Sequence, residues 1–183
     1  MTLVVETGNC IANANALVTR AGFLAYAALY YPATTVTDDE TTDAAILRAS
    51  QWMSTFPDWD GSMTCGRGLQ GQAWPRTGVT DCNGDSVPDD EVPVEVQNAT
   101  HLATLAEYAS PGILTPVVTP GKQKKSVKVD VIAESYMTPW EQGKKGSTDP
   151  VEQLRPVLTA IRDQLKCMAI MPDGVNVPWP WVA

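Results

Sequence analysis

The sequence predicts a mainly α-helical fold: about four helices, a small β-hairpin or strand element, long extended loops and a C-terminal arm. Three observations carry that prediction. Apolar residues recur at helical spacing in four separate segments. Two of those segments open on helix-starting chemistry, Thr37-Asp38-Asp39-Glu40 and Asp149-Pro150-Val151-Glu152. The 14 prolines and 13 glycines of the 183-residue chain fall largely between the helical segments.

Leu3-Val4-Val5 reads as a short extended arm, and Asn13-Ala14-Asn15 as a turn, because Asn tolerates left-handed backbone. Thr19 is the N-cap expected for a first helix over 20–30, with Phe23, Ala27 and Tyr30 on one face. Pro32 ends it, since the residue before proline avoids helical dihedrals. A second helix is expected to start on a capping box formed by Thr37 and Glu40. It runs to about residue 54 and buries Ala45, Ile46, Ala49, Trp52, Met53 and Phe56. Residues 57–92 read as a long irregular stretch rich in Gly, Asp and Pro, of the kind that contacts partners.

Pro93 opens a third helix to about Ala109, lined by Val96, Ala99, Leu102, Ala103 and Ala106 and stopped by Ser110-Pro111-Gly112. Val127, Val129 and Val131 alternate with Lys128 and Asp130, which reads as a strand or hairpin. The fourth helix should begin at Asp149-Pro150, bury Val151, Leu154, Leu158, Ile161 and Leu165, and kink at Pro156. The expected organisation is a helical domain over 1–170 with an N-terminal arm and an inserted loop 111–148, followed by an extended tail over 171–183.

The net charge of −8 is the opposite of the basic surface through which nucleic-acid binders neutralise phosphate. It is unevenly spread: Lys122, Lys124, Lys125, Lys128, Lys144 and Lys145 form one lysine island, which either contacts a DNA channel or an acidic partner, or is a solvated loop. No leader-like segment and no apolar run of about 18 residues is visible, so neither secretion nor membrane insertion is expected. Cys10, Cys65, Cys82 and Cys167 lack zinc-ribbon spacing and read as free thiols, with Cys65–Cys82 the one pairing considered. Asp81-Cys82-Asn83-Gly84-Asp85 has Ser86 and Val92 where a calcium loop needs Gly and Glu, so it reads as an acidic turn. His101 is the single histidine and has no ligand-spaced neighbours, and no catalytic fingerprint is present. The expectation is therefore no catalytic residue, no metal, no cofactor and no enzyme activity.

Several stretches resemble the DnaT-like family of phage proteins, which occupy the head–tail adaptor position in phage genomes. They are Ala12-Asn13-Ala14-Asn15 with Thr19, Ala21, Ala25 and Tyr26; Ala45 to Ala49 with Trp59 and Gly61; Lys125-Ser126 through Tyr136; and, most specific, Gln72-Ala73-Trp74-Pro75-Arg76-Thr77-Gly78-Val79 with Asp81, Gly84 and Val92-Pro93. The resemblance spans about residues 1–165. It implies a structural virion protein, a ring (expected as a dodecamer) in the bacteriophage neck that is assembled in the host cytoplasm. Its implied partners are the portal protein above and a stopper, tail-terminator or tail protein below. Genomic double-stranded DNA would pass through without sequence-specific binding.

On that reading, apolar groups of the arms are covered by neighbouring chains. Trp74 and Arg76, with Val175, Val177, Trp179 and Trp181 of the tail, are the expected subunit or portal interface. The alternative for Trp74 and Arg76 is a loop pinned to its own domain, and for the tail a fold-back onto its own chain. The competing function is single-stranded DNA (ssDNA) binding, to which the lysines and six tryptophans contribute, since bases stack on aromatic rings.

Overall fold

A computed structural model describes residues 2–116, the backbone of 124–128 and 133–136, and residues 158–170. The chain divides into two units: residues 1–114 with 158–170, and residues 115–157 with 171–183. The first unit carries helices α1 (Arg20–Tyr30), α2 (Asp39–Thr55), α3 (Val94–Ala109) and α4 (Thr159–Leu165). It also holds two-residue strands β1 (Asp58–Trp59), β2 (Ser62–Met63), β3 (Arg76–Thr77) and β6 (Ala169–Ile170). In the second unit, β4 (Lys124–Lys128) and β5 (Ala133–Tyr136) pair antiparallel, with Val127 opposite Glu134. The mainly α architecture with a small β element is thus the one expected. Val129, Val131, Pro156 and the expected helix start at Asp149-Pro150 lie outside the described residues, but the fourth helix is shorter than expected: Leu158 has non-helical backbone at φ −91°, ψ 75° and precedes a helix that begins only at Thr159.

Helix α2 packs chiefly on α3, which also packs on α4 and α1. The α2 face that periodicity predicts is the one found: Ala45, Ile46, Ala49, Trp52 and Met53 are buried. On α1, Phe23 and Ala27 are buried as expected, whereas Tyr30, expected on the same face, is 61% exposed and packs on Tyr26 with ring centroids 4.7 Å apart. The cap of α2 is Asp38, not Thr37. The Asp38 carboxylate accepts from the Glu40 and Thr41 backbone N–H groups at 2.9 and 3.4 Å, while the Thr37 N–H donates to the Tyr108 hydroxyl. A carboxylate at the positive end of the helix outcompetes a hydroxyl one residue earlier.

The N-terminal arm is covered by its own chain, which corrects the expectation that neighbours cover it. Val5 bridges Ala16 in parallel. Leu3 and Val5 pack against Ala16, Val18, Phe23, Ala27 and Ile46. The arm is fixed by Glu6, which is 2% exposed and accepts from the Gly8 and Ile11 N–H groups at 3.0 and 2.8 Å.

The reading of four free thiols is overturned. Cys10 bonds Cys65 and Cys82 bonds Cys167, with Cα–Cα separations of 6.1 and 5.1 Å. The partners lie 55 and 85 residues apart in sequence, so only the fold brings them together. The bridges join the arm to the long loop, and the long loop to the chain after α4.

Two charges at core positions were also not foreseen. Glu107 is 1% exposed, pairs with Arg48 at 2.6 Å and accepts from the Gly112 N–H at 2.7 Å. Asp43, also 1% exposed, receives two donors of Arg20 at 2.7 and 2.5 Å. The Arg20 guanidinium, through its hydrogen bond, holds the Asp43 carboxyl below the usual carboxylate range. Each carboxylate is tolerated because its lone pairs are met. Among the described residues, no helix is long and apolar enough to cross a membrane.

Candidate functional site

Residues 57–92 contain little regular structure, yet they are ordered by a dense set of polar and aromatic contacts. Arg76 is the centre. Its Nε donates to the Asp60 carbonyl at 2.8 Å, Nη1 to Ala73 at 3.2 Å, and Nη2 to Trp59 at 3.4 Å and Gly61 at 2.8 Å. One guanidinium thus ties the segment 59–61 to the segment 73–76, a task that suits its planar fork of five donors. Burial lowers the Arg76 pKa against the opposing pull of Asp60 and Asp58. The same tie is reinforced by β2–β3 pairing, Ser62 opposite Thr77 and Met63 opposite Arg76. Gly61 has φ +66°, and a side chain there would meet the Thr77 carbonyl at 2.3 Å, so this crossing requires glycine.

Trp74 is fully buried and meets Trp59 edge-on, with ring centroids 5.4 Å apart. Trp59 is half-buried, and its indole N–H donates to the Met53 carbonyl at 2.9 Å. The ring is therefore anchored at one edge to α2 and at another to Trp74. Two buried amides line the same groove. Gln70 donates to the carbonyls of Gln72 and Pro75 at 3.0 and 2.9 Å. Gln72 donates to Ala14 at 3.1 Å and accepts from the Ser54 hydroxyl at 2.8 Å.

These residues enclose an open groove of about 590 Å³, lined by the end of α2 and by Trp59, Met63, Arg67, Gln72 and Arg76. Arg67 is exposed and makes no ion pair or hydrogen bond among the described residues. Its contrast with Arg20, Arg48 and Arg76, all engaged within the chain, leaves it free to meet an external anion. A pinned aromatic ring, a free cation and amide edges are the elements that hold an unpaired base and its phosphate.

For Trp74 and Arg76, the arrangement found is the loop pinned to its own domain: the indole is covered by its own chain, and every guanidinium bond goes to its own carbonyls. Lys124, Lys125 and Lys128 lie on β4, and nothing is described of their side chains. Lys122, Lys144, Lys145, Val175, Val177, Trp179 and Trp181 lie outside the described residues. Trp59 and Arg67, which line the groove, were missed by sequence reasoning. The available signal was two tryptophans and two arginines within the one long stretch that lacks periodicity.

The acidic turn is self-contained: the Asp81 carboxylate accepts from the Asn83 and Asp85 N–H groups at 2.8 and 2.9 Å. Among the described residues, no group of His, Cys, Asp and Glu converges as a metal site. His101 is buried between α1 and α3, stacks on Tyr26 at 4.8 Å, and is pushed by desolvation down to about 4.

A family model described as "Putative DnaT-like ssDNA binding protein" matches residues 1–174. No curated protein and no solved structure matches the chain. The family match corrects the expected assignment. Its description names binding to single strands, and nothing supports a head–tail adaptor ring on a portal that passes duplex DNA. The virion-neck partners fall with that assignment.

Proposed function

The chain belongs to the DnaT-like ssDNA-binding protein family, and from that membership we propose that it binds single-stranded DNA through the Trp59–Arg67 groove. The observation that carries the placement is the pairing of a pinned, half-buried tryptophan with an arginine that has no partner within the described chain. One base stacks on the Trp59 ring and the Arg67 guanidinium meets the adjacent phosphate, while the buried Gln72, bonded to Ser54 and Ala14, holds the wall of the groove in place. The six lysines between 122 and 145 add a second, sequence-local source of phosphate contacts.

The work is binding without catalysis. With a net charge of −8, long-range attraction to DNA is weak, so stacking carries much of the affinity. Two consequences follow for the test, a fluorescence-anisotropy titration of a labelled oligothymidylate at low salt. Binding is expected at micromolar concentration, with a loss on adding salt of about 0.7 in log K per log salt for each phosphate neutralised, so the slope counts how many of Arg67 and the lysines take part. A duplex of equal length should compete poorly, because its bases are already stacked. Equal affinity for duplex and single strand would refute the groove reading. No binding at low salt would refute the function.

A further inference from the structure

We propose that the Cys10–Cys65 disulfide is a redox clasp on the DNA groove, so that the site is complete only in the oxidised chain; this rests on the ssDNA reading above. The clasp holds a segment that packing does not. Between Cys65 and Gln70, residues Arg67, Gly68 and Leu69 are exposed, with Leu69 at 65%. A side chain placed at Gly66 or Gly68 would meet nothing within 4 Å. The segment's own backbone bond is Leu69 N–H to the Gly66 carbonyl at 3.2 Å. Arg67 therefore takes its position from the two ends of this segment. One end is Gln70, buried and bonded to the Gln72 and Pro75 carbonyls. The other is Cys65, whose N–H donates to the Gln70 side chain at 3.3 Å and whose sulfur is joined to Cys10 of the N-terminal arm.

Two features make that second end reversible. Cys65 is exposed, so a soluble thiol reaches it. Cys10 holds a left-handed backbone at φ +55°, a conformation that a residue with a side chain keeps only where its surroundings impose it. Opening the bridge leaves, as the nearby restraints on Cys10, the Glu6 bonds to the Gly8 and Ile11 N–H groups and the Gly71 N–H bond to the Ile11 carbonyl at 3.1 Å.

The chemistry is thiol–disulfide exchange with a dithiol reductant. A thiolate of the dithiol attacks the Cys65 Sγ and forms a mixed disulfide, while the Cys10 thiolate departs and takes a proton. The second thiol of the reductant then displaces the Cys65 thiolate, closing its own disulfide. Two electrons and two protons pass to the protein. The exposed residues 66–69, still tied at Gln70 but no longer at the Cys65 sulfur, must then be ordered further each time DNA binds, which lowers affinity. Cys82–Cys167 joins the acidic turn to the chain after α4 and contributes no residue to the groove, so it serves as the internal control.

The test uses the full chain, oxidised or treated with dithiothreitol, with the thiol state read by mass spectrometry. Affinity for a labelled oligothymidylate and amide exchange of a peptide covering residues 64–71 are measured on each. Reduction is expected to weaken ssDNA binding roughly five- to twentyfold and to speed exchange at Cys65 and Gly71. The variant C10S/C65S should match the reduced protein and no longer respond to dithiothreitol, while C82S/C167S should respond as the parent does. Unchanged affinity with the Cys10–Cys65 bridge open would overturn the proposal. So would a dithiothreitol response that persists in C10S/C65S. If the oxidised chain binds no ssDNA, the functional reading falls and the clasp on the groove falls with it; exchange of 64–71 then reports only whether the bridge orders the loop.

Discussion

The α2–α3 pair and the loop of residues 57–92 reach order by different physics. The helices are held by an apolar stripe, with each buried charge on the same surface given a partner, as in Arg48–Glu107 and Arg20–Asp43. The loop has few apolar residues to bury. It is held instead by one guanidinium on four carbonyls, two buried glutamines, two tryptophans packed edge to face and two disulfides. Helical packing spreads its stabilisation over many small contacts. The loop concentrates it in a handful of groups, so single changes should hurt the loop most, and with it the groove.

The sharpest way to break this contrast is Arg76→Ala. It strands carbonyls of both segments that the side chain joins, and should destabilise the protein by roughly 3–4 kcal/mol in chemical denaturation. Affinity for ssDNA should drop at least tenfold under conditions where the variant is still folded. Arg76→Lys should restore little of either, because an ammonium cannot reproduce the fork. Loss of less than about 1 kcal/mol would mean that the loop is not organised by this residue.

His101 sharpens the helical side. Its pKa is lowered by burial to about 4, below the ordinary value near 6.5. The unfolded chain therefore takes up a proton before the folded one does. Stability is flat for this group above about pH 6.5, falls as pH drops towards 4, and loses roughly 3 kcal/mol in total. His101→Gln should remove that slope between pH 6.5 and 4, and leave the separate loss at lower pH that comes from Asp43 and Asp38, whose pKa values are lowered. A stability profile of the parent that is level from pH 6.5 to 4 would contradict the buried, neutral imidazole.

Glu107→Ala should cost roughly 2–3 kcal/mol, since it leaves the Gly112 N–H and the Arg48 guanidinium without their acceptor, although the 44% exposure of Arg48 lets water replace part of the loss. Unlike Arg76→Ala, it should leave ssDNA affinity of the folded protein unchanged. The smallest effect separates two neighbouring residues: Asp38→Ala should destabilise by about 1 kcal/mol and Thr37→Ala by much less. The reverse order would restore Thr37 as the cap of α2.

The same contrast decides what the sequence made legible. The first three helices were readable in place because 3.6-residue periodicity and proline placement are local signals, and Pro32, Pro93 and Gly112 punctuate them where expected; of the fourth, Ile161 and Leu165 were read correctly, but Leu158, placed inside the helix by its spacing, lies just before it. The cap of α2 was misplaced by one residue because Thr37 and Asp38 both suit the position chemically. Glu107 and Asp43 sit at inward positions, but a charged residue on a helix reads as its solvent side until its partner is known. Trp74 and Arg76 stood out through the family resemblance, while their roles did not: an arginine that bonds carbonyls of its own loop and one that bonds a neighbour have the same sequence. The cysteine pairs and the groove are products of chain reversal over tens of residues, which no window of sequence contains. Trp59 and Arg67 could be seen in the sequence, but their meeting at one groove could not, for that reason.

The central claim is tested most directly by photocrosslinking. A single-stranded oligonucleotide carrying 5-iodouracil is irradiated with the oxidised full-length chain, and the attached residue is mapped by mass spectrometry. The account predicts a crosslink at Trp59, lost in Trp59→Ala together with roughly ten- to a hundredfold in affinity. Crosslinks confined to other parts of the chain, with Trp59→Ala binding as the parent does, would contradict it.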